Sequence, residues 1–284
     1  MDLSEAIVLM ASICLTAVFL YRWYRFIFGG AGIRHNAFAR AALGLMPVFS
    51  LAIILYALVS LASFDVVGGW VIFYALLGFA WLYFGMFLMF FFFDLSWIDD
   101  ALNMSNPAAA LAVLGGGLGV TLIYAGANVG DGPGWWCVVL AGGLGTAAWA
   151  ALGVIANAIA KVFGRITTNR DVLCGARTGA YLLSSGIVLG RAVAGDWTSF
   201  SKTIAEFGDG WPVLLLTAAF IMTELLFINS EKQKEPSKHN GPREQSDKSI
   251  RLSYTLILCA AYIAAAFLAL KMLPPLPVNP IYRQ

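Results

Sequence analysis

Few residues in this chain have chemistry to offer, and the most conspicuous are charges in places that should be apolar. Arg177 stands in "CGARTGAYLLSSG" and Glu224 in "FIMTELLFIN". An ionisable side chain at the centre of a bilayer-spanning helix costs roughly 3 kcal/mol on insertion scales, so it needs either a partner or a task. Pairing Arg177 with Glu224 would lower the cost of both. Asp94 follows "MFFFF", with Asp99 and Asp100 close behind. Two readings stand open for Asp94 and Glu224: interfacial or paired structural charge, or a cation or proton site. Arg191, Lys161 and Arg165 lie near the ends of apolar runs, where a long side chain can carry its charge to the head groups.

Other chemistries find no residues. The 2 histidines, His35 and His239, fall in expected loops and are too few for a bis-histidine haem or a histidine-rich metal site. No GxxxxGK[ST], HExxH or GxSxG pattern is present. Cys14, Cys137, Cys174 and Cys259 are far apart and form no CxxC pair, and they read as small membrane-buried residues. The expectation is a chain without cofactor, metal or catalytic constellation.

The elements that must hold these charges are set by composition. The 284 residues are 60% hydrophobic and 12% charged, with a mean hydropathy of +0.78. A soluble domain carries about 25% charged residues. Eight apolar runs are long enough to cross a bilayer as helix: 6–28, 41–63, 69–93, 107–128, 134–160, 172–194, 211–229 and 252–273. They lack the polar–apolar alternation of barrel strands, and in hydrocarbon only a helix otherwise satisfies its own backbone. The fold expected is an all-α integral membrane protein of eight transmembrane helices. The opening "MDLSEAIVLM" begins with acids rather than a basic region, so it reads as the first span and not as a signal peptide.

Charge sets the expected orientation. Of the 18 Lys and Arg residues, all but Arg191, Lys202, Lys271 and Arg283 fall on one side of an eight-span arrangement. The positive-inside rule places that side in the cytoplasm and both termini outside. The linker Ser230–Ile250, "SEKQKEPSKHNGPREQSDKSI", has the composition of a flexible connection. Its near balance of charge argues against nucleic acid. On the opposite side Trp197, Phe200, Ile204 and Phe207 form one stripe, as in a short amphipathic helix lying on the interface.

Internal repeats organise the spans. "HNAFARAALGLM" opens the second span, "SNPAAALAVLGG" the fourth and "CGARTGAYLLSSG" the sixth; "SIRLSYTLILCAAY" before the eighth is a worn copy. The chain therefore reads as four helical hairpins in parallel repeat, the motif starting each second helix. Asn106 suits an N-cap and Pro107 the first helical position. Ala108, Ala112, Gly115 and Gly119 make one stripe on a 3.6-residue helix, beside a second stripe of Leu111, Leu114, Leu118 and Leu122. Gly175, Gly179, Gly186 and Gly190 do the same in the sixth span. In lipid such small-xxx-small faces let backbones approach closely. Two outcomes are open: tight helix packing, or a passage or groove left between small faces.

The motif resembles that of the bacterial inner-membrane proteins of domain-of-unknown-function family 350, the YjfL type. Asn106, Ala108, Ala109, Ala110 and Gly115 fit the family pattern of an Asn, an Ala-rich run and a later Gly. Asn36, Ala37, Ala41 and Gly44 fit it with one residue dropped, and in the third copy Gly175 stands for the Asn and Ser184 for the Gly. The resemblance implies two tandem four-helix units, residues 1–128 and 129–284, in a bacterial inner membrane. It implies no particular reaction. Two functions follow as expectations: a non-enzymatic scaffold or stress-associated subunit packing with copies of itself or other membrane proteins, or a transporter or channel with a solute path between the small-residue helices.

Overall fold

The computed structural model describes residues 2–29, 37–232 and 242–283. Eight of its helices are long and apolar enough to cross a membrane: α1 (Leu3–Gly29), α2 (Ala37–Ser60), α3 (Gly69–Phe93), α4 (Pro107–Ala127), α5 (Trp135–Ala160), α7 (Val172–Ala192), α9 (Pro212–Lys232) and α10 (Pro242–Met272). Two shorter ones complete the set, α6 (Val162–Thr167) and the amphipathic α8 (Phe200–Phe207). Ser199 caps α8, its side chain accepting the Lys202 N–H. Among the described residues the only β-type pairing is a single bridge between Ala62 and Gly130. The protein is an all-α polytopic membrane protein.

The hairpins stack in two layers. The second helices form one row in the order α2, α4, α7, α10, and the first helices flank it in the order α1, α3, α5, α9. The most extensive of all these contacts is between α4 and α7, so the boundary at residue 128 divides the sequence but not the packing. One hydrophobic cluster runs from Phe19 in α1 to Ala269 in α10.

Polar contacts pin the layers. Ser50 and Thr121 hydroxyls bond at 3.0 Å between α2 and α4, and Tyr181 and Thr217 at 2.9 Å between α7 and α9. Trp149 Nε1–H donates to the Leu182 carbonyl across α5 and α7 at 3.0 Å. Pro47 lies inside α2, and having no N–H it leaves the Leu43 carbonyl without its helical donor. Trp23 Nε1–H supplies one from α1 at 2.9 Å. A membrane helix tolerates proline when a neighbour satisfies the freed carbonyl in this way.

Two expectations need correction. The segment read as a flexible linker is helical from Pro242, which makes α10 31 residues long, about 46 Å at 1.5 Å per residue. "PREQSDKSIR" explains this with a proline at the first helical position and good helix formers after it. Gly44, read as a packing glycine, forms no close seam: a methyl group there would meet only Ile27, at an ordinary 3.7 Å. α2 meets α4 instead through longer side chains, with Met46 reaching over Gly117. Asn36 lies outside the described residues.

Candidate functional site

The row of second helices brings the sequence-selected glycines of α4 and α7 together, side by side and parallel. A methyl group added at Gly115 would fall on the Gly179 carbonyl, at Gly119 on the Leu182 carbonyl and at Gly175 on Ala108. Likewise Gly179 lies on the Leu111 carbonyl, Gly186 on Gly119 and Gly190 on Leu122, every approach being under 3.0 Å to backbone. Ala108 and Ala112 are fully buried in the same seam. The small faces are therefore in contact along their length, and they enclose no passage.

Asn106 opens α4. Its Oδ1 accepts from the Ala108 and Ala109 N–H groups at 3.0 and 3.3 Å, while Nδ2–H donates to the Ile166 carbonyl at 2.8 Å. In α7 the corresponding cap is Asp171, which accepts from Cys174 N–H at 3.0 Å. Gly175, which stands for the Asn in the sequence motif, lies one turn inside the helix and serves the seam instead.

Beside this end of the seam lies a buried ionic cluster. Arg177 Nε and Nη2 donate to Glu224 Oε1 and Oε2 at 2.5 and 2.9 Å, a bidentate pair between α7 and α9. The two side chains are 1% and 0% exposed, and they are the only charged residues fully buried among those described. Arg177 Nη1 donates to the Thr255 hydroxyl of α10 at 3.0 Å, and the guanidinium stacks over the Phe227 ring at 4.0 Å. A third member, Arg165, is not marked out by the sequence. Arg165 Nη1 also donates to Glu224 Oε2 at 2.9 Å, and Nη2 to Asp171 at 2.6 Å.

Two positive and two negative groups thus form a neutral chain, Asp171–Arg165–Glu224–Arg177, across α6, α7 and α9. The turn that makes this possible is Lys161, whose φ of 48° ends α5 and starts α6 in a new direction. Arg165 is thereby directed into the bundle rather than out to solvent. The legible signal was Asp171, an N-cap residue just before an apolar run and six positions after Arg165.

Asp94 does not join the cluster. It is exposed and caps α3 in the left-handed conformation at φ 50°. Nearby, Trp97–Asn103 forms a π-helical segment whose Ser96 N–H bonds Asp100 at 2.7 Å. Burial raises the Asp100 carboxyl above its ordinary range, and the charges of Asp94 and Asp99 add to this while the Ser96 N–H opposes it. At the other end of the bundle the loops surround a cavity of about 360 Å³.

Together these features define a polytopic helical membrane protein with a glycine-sealed core and one neutral, fully paired charge cluster. No protein-family model, curated protein or solved structure matches the chain.

Proposed function

We propose that the protein is a non-enzymatic membrane scaffold, a subunit that assembles with a second copy of itself. The observation that carries the reading is the sealed α4–α7 seam: glycine backbones in contact leave no solute path between the small-residue helices. The buried charges support it too, since a cluster whose partners are all satisfied holds helices together and offers no vacant ion site.

The contact with a second copy belongs at a lipid-facing groove between α3 and α5, lined by Phe84, Leu88 and Phe92 on one side and Gly143, Ala147 and Ala151 on the other. Those last three repeat at four-residue spacing, the face by which this chain already joins α4 to α7. The resemblance to family 350 and the bacterial inner-membrane location belong to the same proposal. The alternative reading, a transporter, is favoured by one feature, the cavity at the terminus-bearing end.

Native mass spectrometry from mild detergent tests the scaffold, with vesicle flux assays beside it. A dimer that Ala147→Trp dissociates, and vesicles no leakier to Na⁺, K⁺ or H⁺ than protein-free ones, are the expected results. A monomer, or ion flux that depends on the protein, overturns the proposal.

Orientation has its own test. In a cysteine-free background an impermeant maleimide applied to intact cells should label a cysteine replacing Ser201, and spare one replacing Ser237. The reverse pattern would place the termini in the cytoplasm.

A further inference from the structure

The paired α1 and α3 carry two arginines on their outer surface that the ionic cluster does not explain. Arg22 and Arg25 stand three residues apart on α1, so their side chains leave the helix as neighbours, and both are exposed. Arg22 Nη1 donates to the Tyr83 hydroxyl of α3 at 3.3 Å. Arg25 Nη1 donates to the Tyr21 hydroxyl at 3.3 Å, and its guanidinium lies 5.8 Å from the centre of that ring. Among the described residues neither arginine forms an ion pair. α3 contains no charged residue, and the one acid of α1, Glu5, lies in its first turn at the opposite end. In the connection after α3, the charges that act on Asp100 are those of Asp94 and Asp99 and not an arginine's.

Depth makes this placement costly. Tyr83 stands ten residues before the end of α3 at Phe93, about 15 Å at 1.5 Å per residue. Over that stretch Phe87, Phe90, Phe91 and Phe92 are exposed, so α3 still faces hydrocarbon beyond the level of the hydroxyl that holds Arg22. Charges within membrane spans almost always turn to the bundle interior and pair there. Arg177 follows that rule and Arg22 breaks it. An arginine on a lipid-facing surface instead draws head groups toward itself, by snorkelling and by local thinning of the bilayer.

The tyrosines narrow what such a head group is. Each hydroxyl accepts from a guanidinium, which leaves its own proton to donate outward. Two guanidinium groups and two hydroxyls therefore present donors and a double positive charge. A phosphate matches them, with several acceptor oxygens and the geometry that an arginine fork bonds best. Deeper in the bilayer the same face of α1 continues as Val18 and Leu15, four and seven residues before Arg22, 46% and 44% exposed. That is hydrocarbon along which an acyl chain can lie. A phosphate followed by an apolar tail is a phospholipid and not a free anion.

We infer that Arg22 and Arg25, held by Tyr83 and Tyr21, bind the phosphate of an anionic phospholipid in the leaflet at the basic end of the bundle. The inference goes beyond the scaffold reading, and its failure leaves the dimer test untouched.

Phosphatidylglycerol and phosphatidylcholine are the probes, each titrated into the full chain in mild detergent, with bound lipid counted per protomer by native mass spectrometry. The expected result is a saturable preference for phosphatidylglycerol that Arg22→Gln reduces about fivefold, as losing about 1 kcal/mol for one arginine does. Tyr83→Phe removes a single hydroxyl and should reduce the preference as well. Arg170 is exposed at the same end of the bundle, so Arg170→Gln controls for general surface charge and should leave the preference unchanged. Equal binding of the two lipids, a preference unaltered in both Arg22→Gln and Tyr83→Phe, or an equal fall in Arg170→Gln overturns the inference. So does displacement of the lipid by inorganic phosphate at equal concentration, which would mark a site for a free anion.

Discussion

Glu224→Leu should be the most damaging single charge removal in the protein, costing about 3–5 kcal/mol of stability. The change leaves Arg177, 1% exposed, without a counter-charge, and it removes one of the two carboxylates holding Arg165. Arg177→Met should cost clearly less, because Glu224 then keeps Arg165. The double variant Glu224→Leu/Arg177→Met should recover part of the loss but not all of it, since Arg165 retains only Asp171. Thermal unfolding in mild detergent reads all three. Equal losses in the two single variants would show that Arg165 does not share Glu224. Strictly additive losses in the double variant would show that Arg177 and Glu224 are not coupled.

The cluster separates what the sequence could tell from what it could not. Arg177 and Glu224 were conspicuous because a charge within an apolar run is costly wherever the helix sits. Both also fell at similar depth on spans of opposite direction, which made pairing a natural expectation. Arg165 was not conspicuous. At the end of an apolar run, an arginine that snorkels and one that turns inward look the same in one dimension. The deciding feature is a backbone conformation at Lys161, φ 48° in a residue that rarely adopts it.

A similar division holds for the glycines. Spacing identifies which face of a helix is small, and for α4 and α7 that face is where the backbones meet. Spacing does not say which helix lies opposite. Gly44 carries the same motif, yet α2 approaches α4 through Met46 and Ser50, so the motif alone does not mark a close backbone contact. Gly143 and Ala147 on α5 went unread, because a lipid-facing small face and a buried one have the same sequence signature. The acidic cavity was beyond reach for another reason. Its lining carboxylates, Glu5, Asp65, Asp131, Asp196 and Glu206, come from the first turn of α1 and three connections between spanning helices, and only the stacking order of the hairpins makes them neighbours.

Bulk at Gly115 should separate the two halves of the molecule. Its missing Cβ would fall on the Gly179 carbonyl, backbone against backbone, where no side chain can rotate away. Gly115→Ala alone should therefore destabilise, by about 1–3 kcal/mol of overpacking, and Gly115→Leu should do so more severely. The comparison is Gly164→Ala on α6, where nothing lies within 4 Å of the added methyl. That variant should unfold at the wild-type temperature or slightly above it, since alanine is the better helix former by up to about 1 kcal/mol. Leu118→Ala is a poor neutral control, because Leu118 packs against the main hydrophobic cluster and its truncation should also cost stability. Pairing Gly115→Ala with Gly179→Ala should worsen the loss, as both methyls enter the same contact. If Gly115→Ala melts with the wild type, the seam has room to spare, and the case for a sealed core between α4 and α7 fails with it.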